Sequence, residues 1–365
     1  MKKALIDRIL CFIVIFIMLI VVILNAFFPD QEYSEAERRK LADRPEASFA
    51  SFQNGRFMKE TENYVTDQFP FRESFRRIKA RTTKDLFMQK DKQGLYEYQG
   101  YLIDMEYPLK EDSLKRAASR FRHIYDQYLT SDNHVYVSVI PDKNMFAADK
   151  SGHLSMDYER FEQIIKEECS FAQYIPLMDF FKLEDYYKTD THLRQEKIED
   201  AVKFLAESMG TDIKETYKKK LAIKDFHGVY DGQMALGEKG EALYYMESDL
   251  MKDYKVYDGQ NQKEIPVYCM DKLKGKDPYE MFLSGPLSLV TIENPSCKNG
   301  RNLIIFRDSF ASAFAPILAE GYEKVTLVDI RYIHPDYVSS MLSYENSDVL
   351  FLYSTLVLNN SDTIK

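Results

Sequence analysis

The sequence predicts an α/β domain built in three layers on a mainly parallel sheet, preceded by one apolar helix and a helical stalk. Three observations carry that expectation. A continuous apolar run stands near the N-terminus, a charged stretch rich in helix formers follows it, and from about residue 91 short apolar runs alternate with segments of helical period. The short runs are HVYVSVI (His134 to Ile140), NLIIF (Asn302 to Phe306), KVTLVDI (Lys324 to Ile330) and DVLFLY (Asp348 to Tyr353). Each is apolar at consecutive positions, the form of a strand buried on both faces. Helices are expected over Glu111 to Leu129, Met156 to Lys166, Arg194 to Met209, Ser309 to Ala319 and Pro335 to Tyr344. Strand, helix and strand in succession is the sequence form of a parallel sheet with helices on its faces.

The first element is ILCFIVIFIMLIVVILNAFF, residues 9–28, in which Asn25 is the only strongly polar side chain. Twenty such residues match the hydrocarbon thickness of a bilayer, where a helix satisfies its own backbone. Lys2, Lys3 and Arg8 stand before it against Asp7. That excess of positive charge predicts a cytoplasmic N-terminus and a folded body outside, on a single-pass cell-membrane protein in contact with lipid through residues 9–28. A cleaved signal peptide would want small residues at the end of the run, and Asn25-Ala26-Phe27-Phe28 offers one.

Residues 29–90 form the expected stalk. Phe57, Tyr64, Phe71 and Phe75 recur at helical multiples interrupted by Pro70, which reads as two or three helices. From Gly94 the pattern changes to alternation, with Tyr96 and Tyr98, then Tyr101 and Ile103, around Gln99-Gly100, a hairpin signal. The expected division is therefore 1–8 cytoplasmic tail, 9–28 membrane helix, 29–90 stalk and 91–365 α/β domain, with 222–299 an irregular or β-rich insertion.

Formal charge is −9 over 365 residues, and residues 1–28 contribute +2, which leaves −11 on the rest. An acidic body excludes nucleic acid as the expected partner. Four cysteines are present: Cys11 in the apolar run, and Cys169, Cys269 and Cys297 beyond it. Their number and spacing form neither a disulfide framework nor a metal set, and no cofactor is expected. One Cys269–Cys297 pair and three buried thiols both stay open.

In a parallel sheet, functional groups gather where strands end and helices begin. Phe306-Arg307-Asp308-Ser309-Phe310 is one such place, where Ser309 falls at a helix N-terminus. The dipole and unpaired amides there suit a nucleophile whose oxyanion needs donors. Asp308 and Ser309 are equally good N-caps. The second place is Tyr186-Tyr187-Lys188-Thr189-Asp190-Thr191-His192-Leu193. Asp190 and His192 are two apart, so in an extended segment their side chains leave the same side and the carboxylate can hold the imidazole in one tautomer. A metal-ligand pair or a surface pair fits the same spacing.

Several segments in order resemble the DHHW-motif family, a branch of the SGNH-like proteins related to the alginate and peptidoglycan O-acetyltransferases. They are ERRKLADRP and GRF…YVTDQFPFR in the stalk, GLYEYQGYLI in the hairpin, VIPDKN, YYKTDTHL, KDPYEMFLSG, and IIFRDSFASAFAPIL followed by VDIRYI. The resemblance implies an SGNH-hydrolase-like domain with a triad of Ser309, His192 and Asp190. Phe310 or Ser309 would then supply the oxyanion amide, and Arg331 would contact donor or sugar or form an ion pair. Tyr186, Tyr187 and Tyr332 are the aromatic residues expected near a sugar, since the chain has no Trp.

Two departures stand out. The family's D-H-H-W is Asp190-Thr191-His192-Leu193 here, and the glycine before D-S is Arg307, which leaves the oxyanion geometry to be established. The resemblance implies O-acetyl transfer to a cell-surface or exported polysaccharide through an acyl-enzyme, with a multi-pass membrane O-acyltransferase delivering the acetyl group. An acetylesterase with the same triad and a non-catalytic polysaccharide-binding or assembly protein are the competing readings. Arg307 closing the loop over Ser309 would favour the last.

Overall fold

The computed structural model describes residues 2–89 and 91–365. Met1 and Lys90, the ends of the expected tail and stalk, lie outside them, as do the side chains of residues 2–5, 21, 22 and 26, and with them the flanking charges of Lys2 and Lys3. The chain divides into two compact units, residues 1–90 with 231–237, and residues 91–230 with 238–365.

In the first unit the apolar run is a helix, Lys2–Phe27, within which Ile6–Asn25 is long and apolar enough to cross a membrane. Its large side chains from Ile6 to Ile20, and Ile23 and Phe27 beyond, lie outside any protein core. Helices Phe49–Gln53, Arg56–Asp67 and Arg72–Asp85 follow. Ser48 caps the first, and its hydroxyl accepts from the Ser51 amide. Pro70, which lacks an amide and cannot continue a helix, separates the other two. Few apolar side chains are buried here, and ion pairs join the segments. Arg39 grips the Asp67 carboxylate at 2.8 and 2.5 Å, while Arg72 and Arg76 reach Glu37 at 2.5 and 3.2 Å. Gly232 lies so close to Ala36 that a Cβ there would fall 1.5 Å from its carbonyl oxygen.

The second unit holds an eight-stranded sheet. Its five parallel strands run in the order Lys324–Val328, Asn302–Arg307, Ser347–Ser354, Val135–Ile140 and Gln173–Ile175. The four apolar runs thus lie side by side, as the sequence predicts. Strands Leu289–Glu293, Lys255–Asp258 and Lys263–Ile265 extend the Lys324 edge antiparallel. All three come from residues 222–299, which also supply Glu241–Glu247, paired with Lys218–Phe226 in a separate two-stranded sheet.

Successive side chains in a strand point to opposite faces, and both faces here are apolar. Leu303, Ile305, Leu350, Leu352 and Ile140 pack against helices Glu199–Ser208 and Ala311–Leu318. Ile304, Phe306, Phe351, Tyr353 and Val137 face helices Glu111–Tyr128 and Tyr158–Glu168. The rings of Phe121, Phe351 and Phe306 stack across that second layer, at 4.5 and 5.2 Å between centroids. Three layers result, with the parallel strands between.

Three helices differ from the sequence expectation. The Arg194 segment begins as a 3₁₀ turn, Gln195–Lys197, because the Gln195 side chain is drawn inward to donate to Ala313 O and accept from Met246 N–H. The Pro335 helix stops at Ser339, where the Ser339 and Ser340 hydroxyls bond back to the carbonyls of Pro335 and Tyr337. A helix over Asn144–Ser151, with no strong amphipathic period, has no counterpart in the expectation. Cys11, Cys169, Cys269 and Cys297 are all free thiols, so the Cys269–Cys297 pair does not form. Burial pushes the Cys169 thiol up to about 12.

Burial pushes the Glu106 carboxyl up to about 7; the Asn359 amide, 3.0 Å away, opposes the shift, and nearby Asp142 and Asp104 add to it. A folded-state value raised above the ordinary one favours the folded state fully below pH ~4.5, and the contribution is lost as pH rises through 7. Chemical denaturation of wild type and Glu106→Gln at pH 4.5 and 7.5 should therefore show wild type losing up to about 3 kcal/mol relative to the variant between the two.

Candidate active site

The C-terminal edge of the parallel strands carries Ser309, two residues beyond strand Asn302–Arg307, ahead of helix Ala311–Leu318. Asp308 fixes this turn. Its Oδ1 accepts the Phe310 N–H at 3.0 Å, and its Oδ2 accepts the Ser354 N–H and hydroxyl at 2.7 and 2.6 Å. The carboxylate thereby ties the ends of two neighbouring strands to the serine turn.

The Tyr186–Leu193 segment closes on itself through a bridge between those two residues, with the Tyr187 N–H donating to His192 O at 3.1 Å. Asp190 and His192 lie within the resulting loop. Asp190 Oδ1 sits 2.6 Å from His192 Nδ1 and also accepts the His192 N–H at 3.1 Å, while Oδ2 accepts the Val229 N–H at 3.1 Å. His192 Nε2 lies 2.8 Å from Ser309 Oγ. A carboxylate at Nδ1 assigns the ring proton to that nitrogen, so Nε2 presents its lone pair to the serine hydroxyl. The three residues named from the sequence form one continuous hydrogen-bonded chain.

Other contacts hold this chain in place. The Tyr279 ring stacks face to face on His192, 3.8 Å between centroids and 10° between planes, and the Phe310 ring packs at 5.0 Å. Gly228 comes so near that a Cβ would stand 2.3 Å from Thr189 O and 2.4 Å from Asp190 Cα, a close approach that requires glycine. Lys143, fully buried, donates to the carbonyls of Leu102, Tyr187 and Lys188, and so pins the approach to Asp190. Burial pulls its ammonium down to about 7, with Asp190 the first of the carboxylates opposing that fall. None of these positions carries a local signal. Lys143 sits in the quoted VIPDKN segment and Tyr279 in KDPYEMFLSG, but neither segment says what it packs against.

Several expected contributors stand elsewhere. The Phe310 N–H is committed to Asp308, whereas the Ser309 N–H donates to no acceptor among the described residues. Tyr187 is wholly buried, its ring edge-on to Phe226, and Tyr186 is equally buried with its hydroxyl on Pro141 O. Neither faces a ligand. Arg331 forms the ion pair, gripping both Asp329 oxygens at 2.9 and 2.7 Å, and its guanidinium lies over the exposed Tyr332 ring. Arg307 continues its strand without a left-handed backbone, and its guanidinium reaches Ser312 Oγ and Leu287 O, both at 3.1 Å. Ser309 stays half-buried and is not sealed over. Leu193, where the motif has tryptophan, fills the core.

Comparison with solved structures identifies the architecture. A DHHW family protein from Eubacterium siraeum superposes with a TM-score of 0.60 at 20% identity, over 75% of this chain and 95% of that one. Bacillus cereus PatB1, solved with a sulfonyl adduct, superposes at 0.58 with 18% identity, over 74% and 99%. The fold is SGNH-like. The O-acetyltransferase domain of Pseudomonas putida AlgJ aligns at 0.44 and 11% identity, a likeness too slight to carry weight. No protein-family model matches the chain, and no curated protein matches it in sequence.

Within this SGNH-like domain the Tyr279 hydroxyl is buried and has no hydrogen-bond partner among the described residues, and burial holds its phenol well above the usual range. Tyr279→Phe removes a group left unsatisfied and keeps the stack, so thermal unfolding should show stability unchanged or raised by about 1 kcal/mol. Tyr279→Ala should lose about 3–5 kcal/mol and release the His192 ring.

Proposed function

We propose that the protein is a membrane-anchored, extracytoplasmic O-acetyltransferase of a cell-surface or exported polysaccharide, acting through Ser309, His192 and Asp190. The observation that carries this reading is the unbroken chain from Asp190 Oδ1 to His192 Nδ1 and from Nε2 to Ser309 Oγ, at 2.6 and 2.8 Å. Ser309 Oγ attacks the acyl carbonyl while His192 Nε2 takes its proton. The Asp190 carboxylate stabilises the imidazolium, and the unengaged Ser309 amide faces the developing oxyanion. Nε2 then protonates the leaving group, and the acyl group rests on Ser309. A sugar hydroxyl, deprotonated by the same nitrogen, attacks the acyl-serine and restores the triad.

The polysaccharide acceptor and a multi-pass membrane O-acyltransferase as acetyl source come from the motif resemblance. The exposed apolar helix and its basic flank support the anchor and the outward placement of the domain. Arg307, turned to Ser312 and Leu287, removes the feature that would have favoured a non-catalytic role.

Stopped-flow assay of the full-length protein with a chromogenic acetyl ester should show a burst, and intact mass an acetyl adduct. Ser309→Ala should abolish both. His192→Ala and Asp190→Asn should each slow turnover by roughly 10²–10⁴-fold with the fold retained. Full activity in Ser309→Ala would eliminate the triad. A burst unaffected by added oligosaccharide, with acetate as sole product, would make the protein an esterase.

A further inference from the structure

Helix Arg72–Asp85, far along the chain from the triad, presents an apolar face that the described residues leave mostly exposed, touched edge-on by the Phe28 ring at Phe71 and the Phe69 ring at Phe75. Phe71, Phe75 and Ile78, with Thr82 and Leu86 continuing the row, follow helical spacing, and the four apolar members are 62, 53, 61 and 71% exposed. Ala80, on the opposite side, is the helix's buried residue. Lys79 and Arg81 border the row on its two edges, both exposed, with the Arg81 guanidinium also reaching Leu236 O at 3.4 Å. Residues 71–88 carry Arg72, Arg76, Arg77, Lys79, Arg81 and Lys84 against Glu73 and Asp85, a balance of +4 in a chain of −9.

The row also begins at a defined level. Phe28, just past the apolar helix, meets Phe71 edge-on at 5.5 Å, and the Asn25 side chain donates to Gln68 O at 3.1 Å. The exposed face thus starts where the apolar helix ends. An apolar stripe edged by cations is what a helix needs to lie in the headgroup region of an anionic bilayer, with rings among the upper acyl chains and Lys and Arg stems reaching phosphates. From this geometry we infer that helix Arg72–Asp85 lies flat on the anionic outer surface of the membrane, as a second contact beside the spanning helix. The inference rests on the anchor in the proposed function and is independent of the triad.

The chain has no tryptophan, so Phe75→Trp places a single indole on the stripe. The full-length variant is reconstituted in nanodiscs of phosphatidylcholine, alone or with phosphatidylglycerol. Co-migration with the discs reports the anchor and emission reports the helix. Phe75→Trp, and Ile78→Trp as a second reporter, should emit at shorter wavelength in the anionic discs and be quenched at least twofold by lipids brominated in the upper acyl chain. Arg77→Trp, on the far side, should stay water-like. Adding Lys79→Glu and Arg81→Glu should erase the dependence on phosphatidylglycerol. Water-like emission from both stripe reporters in co-migrating protein would overturn the inference and leave the anchor standing. A blue shift without lipid quenching, growing with copies per disc, would overturn it in favour of a second copy covering the stripe. Protein that does not co-migrate would overturn the anchor and this inference with it.

Discussion

A carboxylate taken out of water must find donors, and the way Asp190 finds them shapes everything around it. Its oxygens accept from the His192 N–H, His192 Nδ1 and the Val229 N–H. Meeting those donors bends Thr189–His192 into a tight loop, draws the 228–229 backbone against it, and leaves glycine as the residue that fits at 228. An unmet buried acceptor costs about 1–3 kcal/mol or more. The arrangement that satisfies Asp190 is therefore the same one that fixes the His192 tautomer.

Asp308 plays the matching part on the serine side. Three hydrogen bonds from Phe310 and Ser354 lock the turn that presents Ser309, and one partner lies on the adjacent parallel strand. The sheet register thus sets the serine position directly. Lys143, beyond the end of the next strand, supplies three bonds to the carbonyls of Leu102, Tyr187 and Lys188, just ahead of Asp190. The ends of strands Asn302–Arg307 and Val135–Ile140 therefore each contribute one ionisable, buried group, Asp308 and Lys143, that positions backbone and takes no direct part in the hydrogen-bonded chain, and the strand between them contributes Ser354.

The sheet was legible because its signal is strong and local. Four runs of consecutive apolar residues can pack between two helical layers, and the alternation of Leu303 and Ile305 with Ile304 and Phe306 shows how. Asp-x-His and the strand-to-helix serine are short-range patterns that fit an N-cap, a metal pair or a surface pair as well, and it was the motif resemblance that put Asp190, His192 and Ser309 together. Their supporting residues were not legible, since Tyr279 over His192 and Gly228 against Asp190 are contacts between distant segments that no spacing encodes. Tyr187 misled for a related reason. It lies beside the motif in sequence, but its neighbour His192 points to the serine while its own ring turns into the core. The Phe310 amide failed as an oxyanion donor because Asp308, two residues earlier, captures it.

The proposed chain from Asp190 to Ser309 makes the serine hydroxyl reactive only while His192 accepts its proton. Peptide-level mass spectrometry after brief exposure to an aryl sulfonyl fluoride tests that dependence most directly, since the reagent captures activated serines whatever the natural acyl donor. Wild-type protein should carry the sulfonyl group on Ser309, and folded His192→Ala protein should remain unlabelled under the same exposure. Labelling of another residue in wild type, or of Ser309 at an undiminished rate in His192→Ala, would contradict it.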